Sequence, residues 1–172
     1  MSAYPHRAGK VNSETNGEHT PVTSPPAMQG SLHPLDRFPA DIIIPSEVSE
    51  SHRVQQLMIE QLKASDFCER EIFAIKLAVE EAMVNAMKHG NQLDRSKKVR
   101  VSFHIAEDTF YVRIGDEGKG FDPEDVPDPT QEENLERPCG RGLLLMRYYM
   151  NEVKFFDRGT TVVMWKRRNG AH

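Results

Sequence analysis

The chain has 172 residues, 38% hydrophobic and 28% charged, with a net charge of −4. That length predicts one domain with room for a tail, and the acidic balance argues against a direct nucleic-acid partner. Two cysteines, Cys68 and Cys139, exclude a disulfide scaffold or a multi-cysteine zinc module. No apolar run is long enough to span a membrane, and Met1 to Lys10 lack the apolar core of a signal peptide. The expectation is a soluble, reduced, cytoplasmic protein with no membrane partner.

Residues 1–37 are rich in Pro, Ser, Thr, Asn and Gly and hold one aromatic, Tyr4. Such a stretch buries too little apolar area to offset its ordering entropy, which predicts a disordered tail. The folded part is expected from 38 to 168, with 169–172 as a short C-terminal tail. Asp41 to Ile44, ended by Pro45, suits an edge strand. Ser46 is then placed to cap a helix running to about Ala64, with Val54, Leu57, Met58 and Leu62 toward the core. Asp66 and Glu69 have the spacing of a capping box. A second helix follows to His89, burying Ile72, Ile75, Val79, Ala82, Met83 and Ala86, and Gly90-Asn91 stops it.

Val99 to Ile105 and Phe110 to Ile114 alternate apolar and polar residues around the turn at Glu107-Asp108, as a half-buried hairpin does. The stretch from Gly115 to Gly140 lacks periodicity and contains four prolines, so it reads as a long loop. Its acidic part, Asp116 to Cys139, carries nine acids and two bases. A solvated loop is the favoured reading of that charge, and a surface that steers a partner is the alternative. Gly142 to Met150 reads as a short helix. Val153 to Phe156 and Thr160 to Trp165 close the chain as a second hairpin across Asp157-Arg158-Gly159. The fold class is α+β, a two-layer sandwich with helices on one face of a mixed, mostly antiparallel sheet.

Three motifs carry chemistry. In Glu81-Ala82-Met83-Val84-Asn85-Ala86-Met87-Lys88-His89-Gly90, Glu81 and Asn85 are four apart and share one helical stripe, which Lys88 and His89 continue. An acid, an amide and a cation on one stripe can hold a metal–phosphate group, and a carboxamide oxygen suits magnesium. A solvated polar face is the bland alternative. In Asp116-Glu117-Gly118-Lys119-Gly120-Phe121-Asp122, directly after a strand, the glycines allow close approach to a flat ligand and Asp116 can accept from an exocyclic amine. A plain Gly-rich turn is the alternative. Gly140-Arg141-Gly142-Leu143 opens a helix, where free N–H groups and the guanidinium favour an anion. Glycine at a helix start is otherwise ordinary.

In this order and at these distances, the three motifs resemble the N, G1 and G2 boxes of the GHKL ATPases, whose nucleotide-binding fold is the Bergerat sandwich. The resemblance covers roughly Phe38 to Arg168. The compact form with Glu-Ala-x-x-Asn-Ala-x-x-His-Gly looks like the anti-sigma factor serine/threonine kinases of bacterial partner-switching systems. Gly159-Thr160-Thr161 also resembles the glycine–threonine strand start of the family.

The resemblance implies ATP and Mg2+ as cofactors. Asn85 would ligate the magnesium and Glu81 would be the general base. Lys88 would contact phosphate, Asp116 would take the adenine amine, and Gly118 and Gly120 would let the chain pass close to the base. Gly140, Arg141 and Gly142 would contact the phosphates as a lid of about 117–140 closes, and Thr161 would support the adenine through water. The implied partners are a sigma factor and a small anti-sigma-factor antagonist, with a homodimer compatible with the family. The implied activity is phosphorylation of the antagonist on Ser or Thr. A non-catalytic ATP-binding module that sequesters a protein, and the catalytic domain of a sensor histidine kinase, are the alternatives. Glu80 is expected at the surface, His89 as a helix-end packing residue, Cys68 as a semi-buried thiol, Cys139 as an inert lid residue and Trp165 as core or sheet face. Arg53 is expected to point outward at a partner surface.

Overall fold

The structure, a computed structural model, describes residues 38–39, 41–122 and 140–169. The expected tail of 1–37, the part of the lid from 123 to 139 with Cys139, and residues 170–172 lie outside the described residues. The elements follow the order β1 (Ile42–Pro45), α1 (Val48–Ala64), α2 (Glu69–Val84), a π turn (Asn85–Gly90), β2 (Lys98–Ala106), β3 (Thr109–Gly115), α3 (Arg141–Tyr149), β4 (Glu152–Phe156) and β5 (Thr161–Arg167). The sheet runs β1-β2-β3-β5-β4. All four pairings are antiparallel.

Strand alternation decides which face is buried. The register sets Ile44 opposite Val99, Val101 opposite Ile114, and Val112 between Phe103 and Met164. All of these side chains are buried. They form one core with Val54, Met58 and Leu62 of α1, with Ile72, Ile75, Val79, Ala82 and Met83 of α2, and with Leu143 and Met146 of α3. The result is an α+β two-layer sandwich. The opposite face of the sheet is crossed by the segment before β1. There Ser102 Oγ donates to the Pro39 carbonyl at 2.8 Å, and Arg113 pairs with Asp41 at 2.9 Å. The Arg113 guanidinium lies 4.9 Å from the Phe38 ring centroid, and His104 stacks on Tyr111 at 5.1 Å. Burial holds the His104 imidazole below its usual value.

Several local expectations are corrected. Ser46 does not cap α1. It is buried, its hydroxyl donates to the Lys97 carbonyl and accepts from Asn91, and Glu47 in extended conformation precedes the helix. Leu57 is on the outside of α1, 41% exposed, because the buried stripe runs through Ser51, Val54, Gln55, Met58 and Leu62. The helix-start contact of α2 runs from Glu71 back to the Cys68 N–H at 2.8 Å, not between Asp66 and Glu69. Asp66 has a left-handed backbone with φ of 59° and points outward. Glu71 is buried, so its second oxygen is taken by the backbone N–H of Asn169, which ties the residue after Arg168 to α2. Cys68 is exposed rather than semi-buried. Trp165 is on the sheet, its indole N–H donating to Glu152 at 2.8 Å.

The second helix stays α-helical only to Val84. From Asn85 to Gly90 it widens into a π turn, and the Asn91 N–H reaches back five residues to the Ala86 carbonyl at 2.8 Å. The helix α3 starts at Arg141 behind Gly140, whose φ of 85° is left-handed. Only glycine takes that conformation without strain.

Candidate active site

A cavity of about 490 Å³ opens between α2 with its π turn, the start of α3 and the inner face of β3 and β5. Ile114, Val162, Leu143 and Met146 form its apolar surface. Glu81, Asn85, Lys88, His89, Asp116, Arg141 and Thr160 bring polar groups to it. The cavity therefore gathers Glu81, Asn85, Lys88, Asp116, Gly120, Gly140, Arg141 and Gly142 from three stretches of sequence that are far apart.

The polar groups divide between two ends. At one end Gly142 lies against Glu81 and Asn85: a Cβ on this glycine would be 2.6 Å from Glu81 Oε2 and 3.5 Å from Asn85 Nδ2. The acid and the amide thus converge on the same point at the start of α3, with Arg141 beside them. Glu80 is not on the cavity wall.

At the other end the chain after β3 folds tightly around Asp116. Its N–H donates to the Thr160 carbonyl at 2.9 Å, and its Oδ1 accepts from the Gly118 N–H at 2.8 Å. Gly90 packs against the Asp116 carboxyl, and Gly118 packs against the Gly90 carbonyl, so neither position has room for a Cβ. Burial pushes the Asp116 carboxyl above the ordinary aspartate range, with the Gly118 N–H and the charges of Lys97 and Arg100 opposing that rise. Ten residues of α-helix and π turn, from Glu81 to Gly90, run between the two ends.

Two expected residues lie elsewhere. Gly118 is behind Asp116 rather than on the cavity wall. Thr161 points away from the cavity because β5 alternates, and Thr160 and Val162 take the wall positions instead. The Thr161 hydroxyl would meet a Cβ on Gly115 at 3.3 Å. Gly120, with φ of 79°, passes against the Arg158 carbonyl, and Phe121 donates its N–H to that carbonyl at 2.9 Å. The Phe121 ring meets Phe155 edge-on at 5.3 Å and closes this side. His89, expected as a packing residue, is exposed on the cavity wall. Gly90, Phe121 and Thr160, which the motifs contain without an assigned role, also line the cavity, and Asn91 stands directly behind Gly90. The stop signal at Gly90-Asn91 was the available hint, read as punctuation only.

Among the described residues no three His, Cys, Asp or Glu side chains cluster as a metal site. The carboxamide of Asn85, beside Glu81, offers a hard oxygen donor suited to a magnesium ion whose remaining ligands would come from phosphate and water. The donor set therefore fits a nucleotide-borne magnesium better than a protein-only cage.

A two-layer α+β sandwich with this cavity between a helix and the sheet is the Bergerat arrangement. The chain belongs to the histidine kinase-like ATPase domain family, whose model matches residues 44–166. It is 34% identical over 99 residues to the serine-protein kinase RsbW of Listeria innocua, a match covering 54% of this chain and 63% of the relative. It is 35% identical over 105 residues to the anti-sigma F factor of Clostridium perfringens, covering 58% and 74% of the two chains. With the serine-protein kinase RsbW of Bacillus subtilis it shares 36% identity over 107 residues, covering 58% and 67%. The chain thus spans less than two thirds of the Listeria protein's length. Its relatives place it with the anti-sigma kinases of the GHKL superfamily.

Proposed function

We propose that the chain is an ATP-dependent serine/threonine protein kinase that acts as an anti-sigma factor and phosphorylates a small antagonist protein. The observation that carries this reading is the convergence of Glu81, Asn85 and Gly142 at one end of a cavity whose other end holds a half-buried carboxylate, Asp116. Asp116 accepts from the adenine amine. Lys88 and Arg141 neutralise phosphate charge, and the N–H groups at the start of α3 face the same anion. Asn85 holds magnesium, which when bound neutralises phosphate charge and orients the terminal phosphoryl group. Glu81 takes the proton of the attacking Ser or Thr hydroxyl as the new P–O bond forms and ADP leaves. The names of the relatives support the kinase and anti-sigma reading. The partners are then a sigma factor and a small anti-sigma-factor antagonist, in the cytoplasm, and a homodimer is compatible with the family.

The test is Glu81→Gln with labelled ATP and a candidate antagonist carrying a Ser or Thr acceptor. Gln keeps size and hydrogen bonding but cannot take the proton. Nucleotide and partner binding should survive while phosphotransfer falls by roughly 10²- to 10⁴-fold. Full transfer by the variant removes Glu81 as the base. A wild-type protein that binds ATP and partner yet transfers nothing is instead a non-catalytic binding module.

A further inference from the structure

Asn91 follows the π turn directly and is completely buried. A buried carboxamide must place two N–H donors and its oxygen on protein partners. Nδ2 donates to Ser46 Oγ at 2.7 Å and to the Lys98 carbonyl at 2.9 Å. Oδ1 accepts the Glu117 N–H at 2.8 Å. The amide orientation is fixed by these partners, since the flipped form would set an N–H against an N–H. The contacts close into a ring, because the Lys98 N–H donates to Glu117 Oε2 at 2.8 Å.

This ring ends on the peptide next to Asp116. The Asp116 N–H is held by the Thr160 carbonyl on one side, and the following N–H is held by Asn91 on the other. Asn91 also bonds through its own N–H to Ala86, one residue from Asn85. It joins the turn bearing Asp116, the start of β2, the chain before α1 and the π turn. A carboxylate can tell one base from another only if its position is fixed to within about 0.5 Å.

We propose that Asn91 is a positioning residue that sets the preference for ATP over GTP, by fixing the Glu117 peptide and through it the direction in which the Asp116 carboxylate enters the cavity. This rests on the nucleotide-binding reading above. Asn91 lies behind Asp116, so its effect reaches the base only through that carboxylate.

The experiment measures ATP and GTP affinities by calorimetry for the full chain, for Asn91→Ala and for Ser46→Ala, with melting temperatures alongside. Asn91→Ala should weaken ATP roughly tenfold, the scale of a lost bond to a buried polar group, and GTP much less. The ATP-to-GTP ratio then collapses toward one, and in turnover the loss is concentrated in KM for ATP rather than in kcat. Ser46→Ala removes one acceptor at the far end of the network and should lower the ratio by a smaller factor. A lower melting temperature with an unchanged ratio in Asn91→Ala makes the residue structural only and overturns the proposal. If that variant does not fold, an unchanged ratio in Ser46→Ala overturns it. A wild-type chain that binds neither nucleotide refutes the nucleotide reading itself, whereas one that binds both equally keeps that reading and overturns the proposal, because there is then no preference for Asn91 to set.

Discussion

Gly142 packs on the carboxylate of Glu81, with space for hydrogen but not for a methyl group. The obstacle is the far end of a flexible side chain, so a methyl group at 142 should displace that carboxylate rather than unfold the protein. Gly142→Ala is therefore expected to melt within a few degrees of wild type and to lose phosphotransfer by about 10²-fold, the usual scale for a misplacement near 1 Å. Parallel melting and labelled-ATP assays decide it. Wild-type transfer rates in this variant mean that the Glu81 position is not critical.

Asn85→Ala should abolish most of the magnesium dependence of ATP binding, because it removes the proposed protein ligand to the metal. The comparison is ATP affinity with and without magnesium, in wild type and variant. Identical wild-type affinities under the two conditions rule out the assignment.

Asp116→Asn separates stability from function. Because burial raises its folded-state pKa, the folded protein holds this proton more tightly than the unfolded chain. Stability from this group therefore declines as pH rises from the ordinary aspartate value through the folded one, and the full cost is present above it. The variant should be as stable as wild type or more so at pH 7, with the difference shrinking as pH falls toward about 4. Its ATP affinity should drop by about 1–3 kcal/mol, since an amide presents a donor to the adenine amine. Denaturant titrations across pH give the first quantity and calorimetry the second. A variant less stable than wild type at pH 7 contradicts the argument.

Arg53 is solvent-facing and pairs with Glu50 at 3.2 Å within the same helix. Such a pair contributes about 0–1 kcal/mol, so Arg53→Ala should leave stability and ATP binding close to wild type. If α1 presents a partner surface, as its outward Arg53 and Leu57 allow, capture of the antagonist or sigma factor weakens in a binding series. Unchanged partner affinity leaves Arg53 as a solubilising charge.

Periodicity made the core legible from sequence. Ile72, Ile75, Val79, Ala82 and Met83 are buried as their spacing requires, both hairpins pair as expected, and the first buries Val99, Val101, Phe103, Phe110, Val112 and Ile114. The misreadings share one cause, which is that local patterns cannot reveal distant partners. Ser46 looks like a cap until Lys97 and Asn91, about fifty residues on, claim its hydroxyl. Asn91 looks like a stop signal until Lys98 and Glu117 arrive beside it. Leu57 fits the apolar stripe by spacing, but lies outside the arc that α1 turns toward the sheet. In the site, the three motifs brought most wall residues together, whereas Thr160 and Phe121 depended on how the β4–β5 turn meets the chain after β3. The widening of the helix after Val84 has no compositional mark at all.

That widening constrains how the gene encoding this chain can change over generations. A π turn is an α-helix that has accepted an extra residue. Losing one residue between Asn85 and Gly90 would restore regular winding at about 100° per residue and give the side chains within the turn new directions relative to Asn85. Lys88 and His89, which the wide turn brings to the cavity wall, would lose that placement. Descendants of this sequence can therefore exchange side chains along the turn far more freely than they can shorten it.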